Sequence, residues 1–220
     1  MPVLKINRQP SSLAWFDSLR GQAVLAAEQD LIRGALVARP AQPPWLWLGP
    51  AHSGLPAQGP DLPARSLWLH PRGHRYAGSV ECELPLPLPN ESIGNVIVQH
   101  VLDDGRDGLL EECARVLEPG GHLWLFVLNP WSPYRVRWHR SGLQARHVQA
   151  WNQRLGALGL QACGDGTTFL GPVWRYSGAA QAPTTRRLRC SYLLEVEKRT
   201  AALIPPALVK RQWQAGAAPA

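Results

Sequence analysis

No stretch of this 220-residue chain has the uninterrupted apolar length that a membrane span requires, and the basic residues near Met1 are followed by no apolar run of the kind a secretory leader needs. A soluble, non-secreted, cytoplasmic protein is the expectation. The chain has only four cysteines (Cys82, Cys113, Cys163 and Cys190), far apart and without a Cys-x-x-Cys pair, so neither a zinc ribbon nor a disulfide scaffold is suggested. The seven histidines are dispersed, no His/Glu/Asp cluster stands at metal-ligand spacing, and there is no Gly-x-Ser-x-Gly elbow; these absences argue against metal chemistry and a hydrolytic nucleophile. Internal repeats and long low-complexity tracts are missing too.

What the chain does have is proline and glycine, 21 and 20 residues, which break it into short elements joined by many loops. The length suits one domain with a real core, here residues 1–200, with a core at 45–197 and a partly disordered Ala/Gly-rich tail at 201–220. The net charge of +7 is unevenly distributed: residues 81–118 carry −7, while the part from Trp131 onward carries +10. Such asymmetry suits an anionic substrate, an acidic partner, nucleic acid or a self-complementary homodimer. The run Trp131 to His147 interleaves Arg135, Arg137, Arg140 and Arg146 with aromatic residues, a pattern that can grip single-stranded nucleic acid but more often marks a solvated loop.

Periodicity assigns the elements. Residues 14–38 read as a helix with Trp15, Phe16, Leu19, Val24, Leu25, Leu31, Ile32 and Leu36 on its apolar stripe and Gly21 and Gly34 as weak points. Trp45 to Leu48 and Ser66 to Leu69 read as strands, and a third short strand is expected around Gly78 to Cys82. Val96 to Val98 and Leu123 to Leu128 are apolar runs flanking a helical segment in which Leu109, Leu110, Cys113, Val116 and Leu117 share one face. Strands that are apolar throughout are covered on both faces, the mark of a parallel α/β sheet. Val148 to Leu158 reads as a further helix, and Leu160 to Phe169 and Arg187 to Glu197 as two final strands with an antiparallel relation.

The string LPLPNESIGNVIVQHVLDD, followed by LLEECARVLEPGGHLWLFVLNPW, resembles the second half of a class I S-adenosylmethionine-dependent methyltransferase, methyltransferase type 11-like. The resemblance implies a Rossmann-like sheet, mostly parallel with an antiparallel C-terminal strand and helices on both faces. It implies S-adenosylmethionine as cofactor and a small-molecule substrate. It also locates the expected site. Gly49, Ala51 and Ser53 fall on the family's glycine-rich loop, with two of the three glycines replaced. His70 stands where a carboxylate would take both ribose hydroxyls; an imidazole can accept one such bond but not two. Cys82 aligns with an acid that binds the adenine amino group, with Glu81 and Glu83 one position away on either side. Gln99, His100 and Asp103 follow strand four, where open α/β sheets place their ligands, and His100 is the candidate general base. Asn129, Trp131 and Tyr134 are candidate substrate contacts, Trp138 extending them into an aromatic lid. The replaced residues imply a weakened or lost cofactor site. The alternative is a non-catalytic binding or interaction protein on the same fold.

Overall fold

The computed structural model describes residues 11–38, 44–51, 65–106, 108–164, 166–172 and 187–199. The readings of the Pro-rich segment after Ala51 as a loop, of Ser53, and of the C-terminal tail fall outside these residues.

A 3-10 helix, Ser12–Asp17, precedes α1 (Leu19–Ala38). The strands are β1 (Trp45–Leu48), β2 (Ser66–Arg72), β3 (Arg75–Gly78), β4 (Ile93–Gln99), β5 (Leu117–Leu128), β6 (Leu160–Ala162), β7 (Thr168–Leu170) and β8 (Ser191–Lys198). Helices α2 (Leu109–Val116) and α3 (Val148–Ala157) follow β4 and β5 respectively. The sheet order is β3-β2-β1-β4-β5-β8-β6, with β7 also paired to β8. The β1–β2, β1–β4 and β4–β5 pairs are parallel, while β8 runs antiparallel to β5, β6 and β7. The sheet is mixed: its central strands β2, β1, β4 and β5 are parallel, and the C-terminal strand is antiparallel as expected.

Alternation along the strands sends their residues to two different cores. Leu46, Leu48, Val96, Val98, Leu123, Leu125 and Val127 pack against the apolar stripe of α2 and against Trp151 and Leu155 of α3. On the other face Trp45, Trp47, Ile97, Trp124 and Phe126 meet Ile32 and Leu36 of α1, with Trp45 and Trp124 stacked at 5.4 Å. Each such side chain fully removed from water contributes about 1.5–3 kcal/mol, which is why the apolar runs alone locate the central strands.

Three departures from the expected elements matter for the site. The single helix expected over residues 14–38 breaks at Ser18, where the backbone is extended. Gly21 lets the two pieces fold together, since a Cβ there would collide with the Phe16 backbone. The third strand, expected around Gly78 to Cys82, lies earlier, at Arg75–Gly78, as the return arm of a β-hairpin with Arg72 paired to Arg75 and Leu69 to Gly78. Finally, the strand expected over Leu160 to Phe169 is interrupted, and its halves, β6 and β7, pair with different stretches of β8.

Candidate functional site

The carboxyl end of β4 gathers a cluster of buried polar side chains. His100 closes the strand with a left-handed backbone, φ 58°, and its ring is fully buried. Its Nδ1 lies 2.8 Å from Asp103 Oδ2, and its Nε2 lies 2.9 and 3.1 Å from the two carboxylate oxygens of Glu28. Glu28 reaches this point from α1, where it sits in the stripe of Val24, Leu25 and Ile32 and is equally buried. It also accepts bonds from Gln99 Nε2 at 2.9 Å and Ser191 Oγ at 2.6 Å. Asp103 Oδ2 accepts from the Leu128 backbone N–H at 3.0 Å, and Phe16 stacks on the imidazole at 4.5 Å.

Electrostatics fix the protonation of this cluster. Burial by itself would lower the imidazole's pKa, but the Glu28 charge and the hydrogen bonds its ring donates to Asp103 and Glu28 outweigh it and raise His100 to about 9. Burial pushes the Asp103 carboxyl up against the opposing pull of His100 and the Leu128 N–H. The His100 imidazole thus sits between the carboxyl groups of Glu28 and Asp103 in a cluster that joins α1, β4, β5 and β8. Both ring nitrogens are engaged, and the cavities described below do not have His100 in their lining. Asp103 Oδ1 and Gln99 Oε1 are buried without a partner among the described residues.

The other expected cofactor residues separate into two groups. Gly49 lies where β1 ends, its N–H continuing the ladder to Leu69 O at 3.1 Å, with Ala51 exposed just beyond. His70 is not at the end of its strand: β2 runs on to Arg72, and the His70 ring leans on Trp68 at 4.7 Å. Cys82 pairs by backbone with Tyr76 and packs on the core. Its neighbour Glu83, bonded to Arg75 Nε at 2.7 Å, instead lines a cavity of about 460 Å³ with Gly73, His74, Tyr76, Leu84, Gly105 and Arg106. Arg106 spans that cavity, donating to Gly73 O at 2.9 Å and lying 5.6 Å from the Tyr76 ring centre. The group implied by the resemblance therefore fits one end of this edge and not the other. A cavity with a carboxylate, Glu83, stands beside the hairpin turn, but β2 itself carries no carboxylate, and Phe16 and Glu28 pack on His100 at the β4 end.

A larger cavity, about 680 Å³, opens at the carboxyl end of β5. Asn129 and Trp131 line it with Val148, Gln149, Thr167, Phe169, Arg187, Leu188 and Tyr192. Asn129 builds the wall: its amide donates to Arg187 O and Arg189 O, both at 2.8 Å, and its Oδ1 accepts from the Trp131 N–H. Trp131 is 72% exposed at the rim. Tyr134 belongs elsewhere, packed with the core formed by Phe16, Leu25, Leu128 and Trp138. The expected aromatic lid is corrected accordingly, because Trp138 is buried in that core and cannot close over a ligand. The same burial removes one of the rings that the nucleic-acid pattern of residues 131–147 needed.

Sequence reasoning missed Glu28, Ser191, Arg106 and Arg187. A signal for Glu28 was present: an acid three residues after Leu25 and four before Ile32, inside an apolar stripe, has to find a buried partner.

No protein-family model matches the chain, and no curated protein matches it in sequence. Among solved structures, a SAM-dependent methyltransferase from Aquifex aeolicus is similar over 86% of this chain and 98% of its own, at 10% identity and a TM-score of 0.54. A chain of the Haloferax volcanii complex between the Trm112 methyltransferase activator and a methyltransferase covers 86% and 98%, at 16% identity and a TM-score of 0.53. A SAM-dependent methyltransferase from Archaeoglobus fulgidus covers 77% and 94%, at 12% identity and a TM-score of 0.51. At such identities the likeness is one of architecture, and the chain has the Rossmann-like fold of the SAM-dependent methyltransferases.

Proposed function

We propose that this chain is an S-adenosylmethionine-dependent methyltransferase of small molecules whose hold on its cofactor is weak. The observation that carries the reading is the cavity of about 680 Å³ at the carboxyl end of β5, in a fold shared with methyltransferases. Open α/β sheets bind ligands at this edge, and the volume suits a small molecule. Phe169, Leu188 and Trp131 offer apolar surface, Thr167 and Gln149 offer hydrogen bonds, and Arg187 favours an acceptor with an anionic group. Glu83 would hold the adenine amino group, with Gly49 and Ala51 facing the remainder of the cofactor. When bound, the cofactor supplies an already activated methyl group, so catalysis can rest on proximity and alignment rather than on a base. His100 then acts as a positioning residue, tying the end of β4 to α1.

The missing ribose carboxylate sets the expected affinity. Each hydrogen bond to a charged group contributes about 1.5–3 kcal/mol, and 1.4 kcal/mol is tenfold in binding, so a dissociation constant of roughly 100 μM or weaker is expected. Calorimetric titration with S-adenosylmethionine, repeated on the Ala51→Gly, Ser53→Gly, His70→Glu triple variant and on Glu83→Ala, tests this. Weak binding that tightens in the triple variant and weakens in Glu83→Ala is the expected result. No binding to any variant at millimolar cofactor would overturn it. A second reading, a non-catalytic binding protein, is favoured by the closed carboxyl end of β4. It predicts that a labelled methyl group never leaves the cofactor while small anionic ligands still stabilise the fold.

A further inference from the structure

Away from the carboxyl edge, three side chains of different chemistry converge on one face of the sheet. Pairing fixes their positions. His122 on β5 stands opposite Glu197 of β8, Trp124 stands opposite Glu195, and the Cys163 N–H bonds to Glu195 O at 2.9 Å from the other side. Because β6 stops at Ala162 and β7 resumes at Thr168, the chain between them leaves the ladder at Cys163. Interruptions of this kind re-aim a side chain. The result is Cys163 Sγ at 3.8 Å and Glu195 Oε1 at 3.9 Å from His122 Nδ1, with all three donor atoms within 4.8 Å of one another. The three residues are half-buried, and Cys163 and Glu195 line a cavity of about 280 Å³ with Gly164, Gly166, Thr167, Thr168 and Leu193.

We propose that His122, Cys163 and Glu195 form a three-ligand site for a divalent transition-metal ion of the zinc type, with its fourth position open to this cavity. Zinc binds thiolate sulfur at about 2.3 Å, imidazole nitrogen at about 2.0–2.1 Å and carboxylate oxygen at about 2.0–2.2 Å, so tetrahedral ligands stand roughly 3.3–3.6 Å apart. The distances from His122 are within about 0.6 Å of that, and rotation of the long Glu195 side chain brings its oxygen to the sulfur. The mixture of one nitrogen, one sulfur and one oxygen donor selects zinc over calcium or magnesium, which take oxygen. The His122 ring is steadied by Trp124, whose centre is 5.8 Å away. All three residues have further contacts in the structure. Binding releases the thiol proton, so affinity rises with pH.

His122 and Cys163 are 41 residues apart in sequence and Glu195 lies farther along still, which is why no metal-ligand spacing is legible there. The test is titration of the reduced full-length protein with Co²⁺ and then Zn²⁺, followed by absorption. A single equivalent of Co²⁺ should produce tetrahedral d–d bands and a thiolate-to-cobalt charge-transfer band, both abolished by one equivalent of Zn²⁺. Cys163→Ser, isosteric and checked by circular dichroism, should lose the charge-transfer band. His122→Gln should weaken Zn²⁺ binding at least tenfold against a chromophoric chelator, and Cys82→Ser should leave both readouts unchanged. Absence of the charge-transfer band in the native protein, or its persistence in Cys163→Ser, would overturn the proposal. Neither outcome depends on S-adenosylmethionine or on methyl transfer.

Discussion

Replacing His100 by Ala tests whether the buried cluster is held together by charge. The substitution leaves the Glu28 and Asp103 carboxylates facing one another without the cation between them, and breaking a buried pair by removing one partner costs about 3–5 kcal/mol. For a chain of this size each kcal/mol moves the melting temperature by about 2–4 °C, so a fall of roughly 6–20 °C is expected. The native protein should report the same cluster through pH. The folded pKa of His100, about 9, lies above its ordinary 6.5, so the folded state binds the proton more tightly than the unfolded chain. Its contribution is fully present below 6.5 and is lost as pH rises toward 9, with about 2 kcal/mol disappearing between roughly pH 6 and 8.5. Buried Cys113 and Cys190, whose thiols are also raised by burial, push in the same direction only at higher pH, so measurements stay below that range. Urea denaturation across this window is the assay, with Glu28→Gln as the companion variant whose pH slope should flatten. Stability unchanged from pH 6 to 8.5, or a loss under about 1 kcal/mol in His100→Ala, would refute the ion-cluster argument.

Two more outcomes test the framework around the site. Gly78→Ala places a Cβ against Trp68 O at a backbone φ of 144°, so it should destabilise the β2–β3 hairpin by about 1–3 kcal/mol in chemical denaturation. Arg115→Lys should cost a comparable amount, about 1–3 kcal/mol: the guanidinium holds Leu86 O, Leu88 O and Asn90 Oδ1 of the Pro-rich loop while pairing with Glu112, and a single ammonium cannot reach all of them.

How much of this was legible follows from where the physics is local. Trp45 to Leu48 appears in the structure as read because an apolar run between turn signals has few alternatives, and α2 and α3 follow their apolar stripes. The central strands proved longer than their apolar cores, since β5 begins at Leu117 and absorbs Pro119 to Gly121 through a register shift against β4. The hairpin was harder to see. Pro71 argues against a strand, yet it is tolerated because β1 pairs only with Ser66 to Leu69, leaving residues 70–72 with a single neighbour in β3. That depends on where another strand stops, which no local pattern records. Asn129 and Trp131 directly follow an obvious strand and line the cavity at its end, whereas the tight 3-10 turn at Pro133–Arg137 places Tyr134 against the core instead.

The hairpin also sets what a residue at position 70 can reach. In a parallel arrangement the chain would leave the sheet at the end of β2, cross by a helix and return, and the strand end would stand free to present a carboxylate. Here Gly73 and His74 turn the chain straight back, so His70 becomes an interior residue of a two-stranded extension rather than the terminal residue of a strand. A carboxylate at position 70 would emerge beside Trp68, on the face that carries the tryptophan core, rather than at the carboxyl edge. The hairpin turn is bolted to the connection after β4 by Arg106, so it does not swing aside without losing that bond and the Tyr76 contact. Restoring the carboxylate alone should therefore tighten cofactor binding less than the tenfold or more that its hydrogen bonds contribute elsewhere. It should approach that value only when Arg106→Ala frees the turn, a non-additivity that the double variant measures directly in calorimetry.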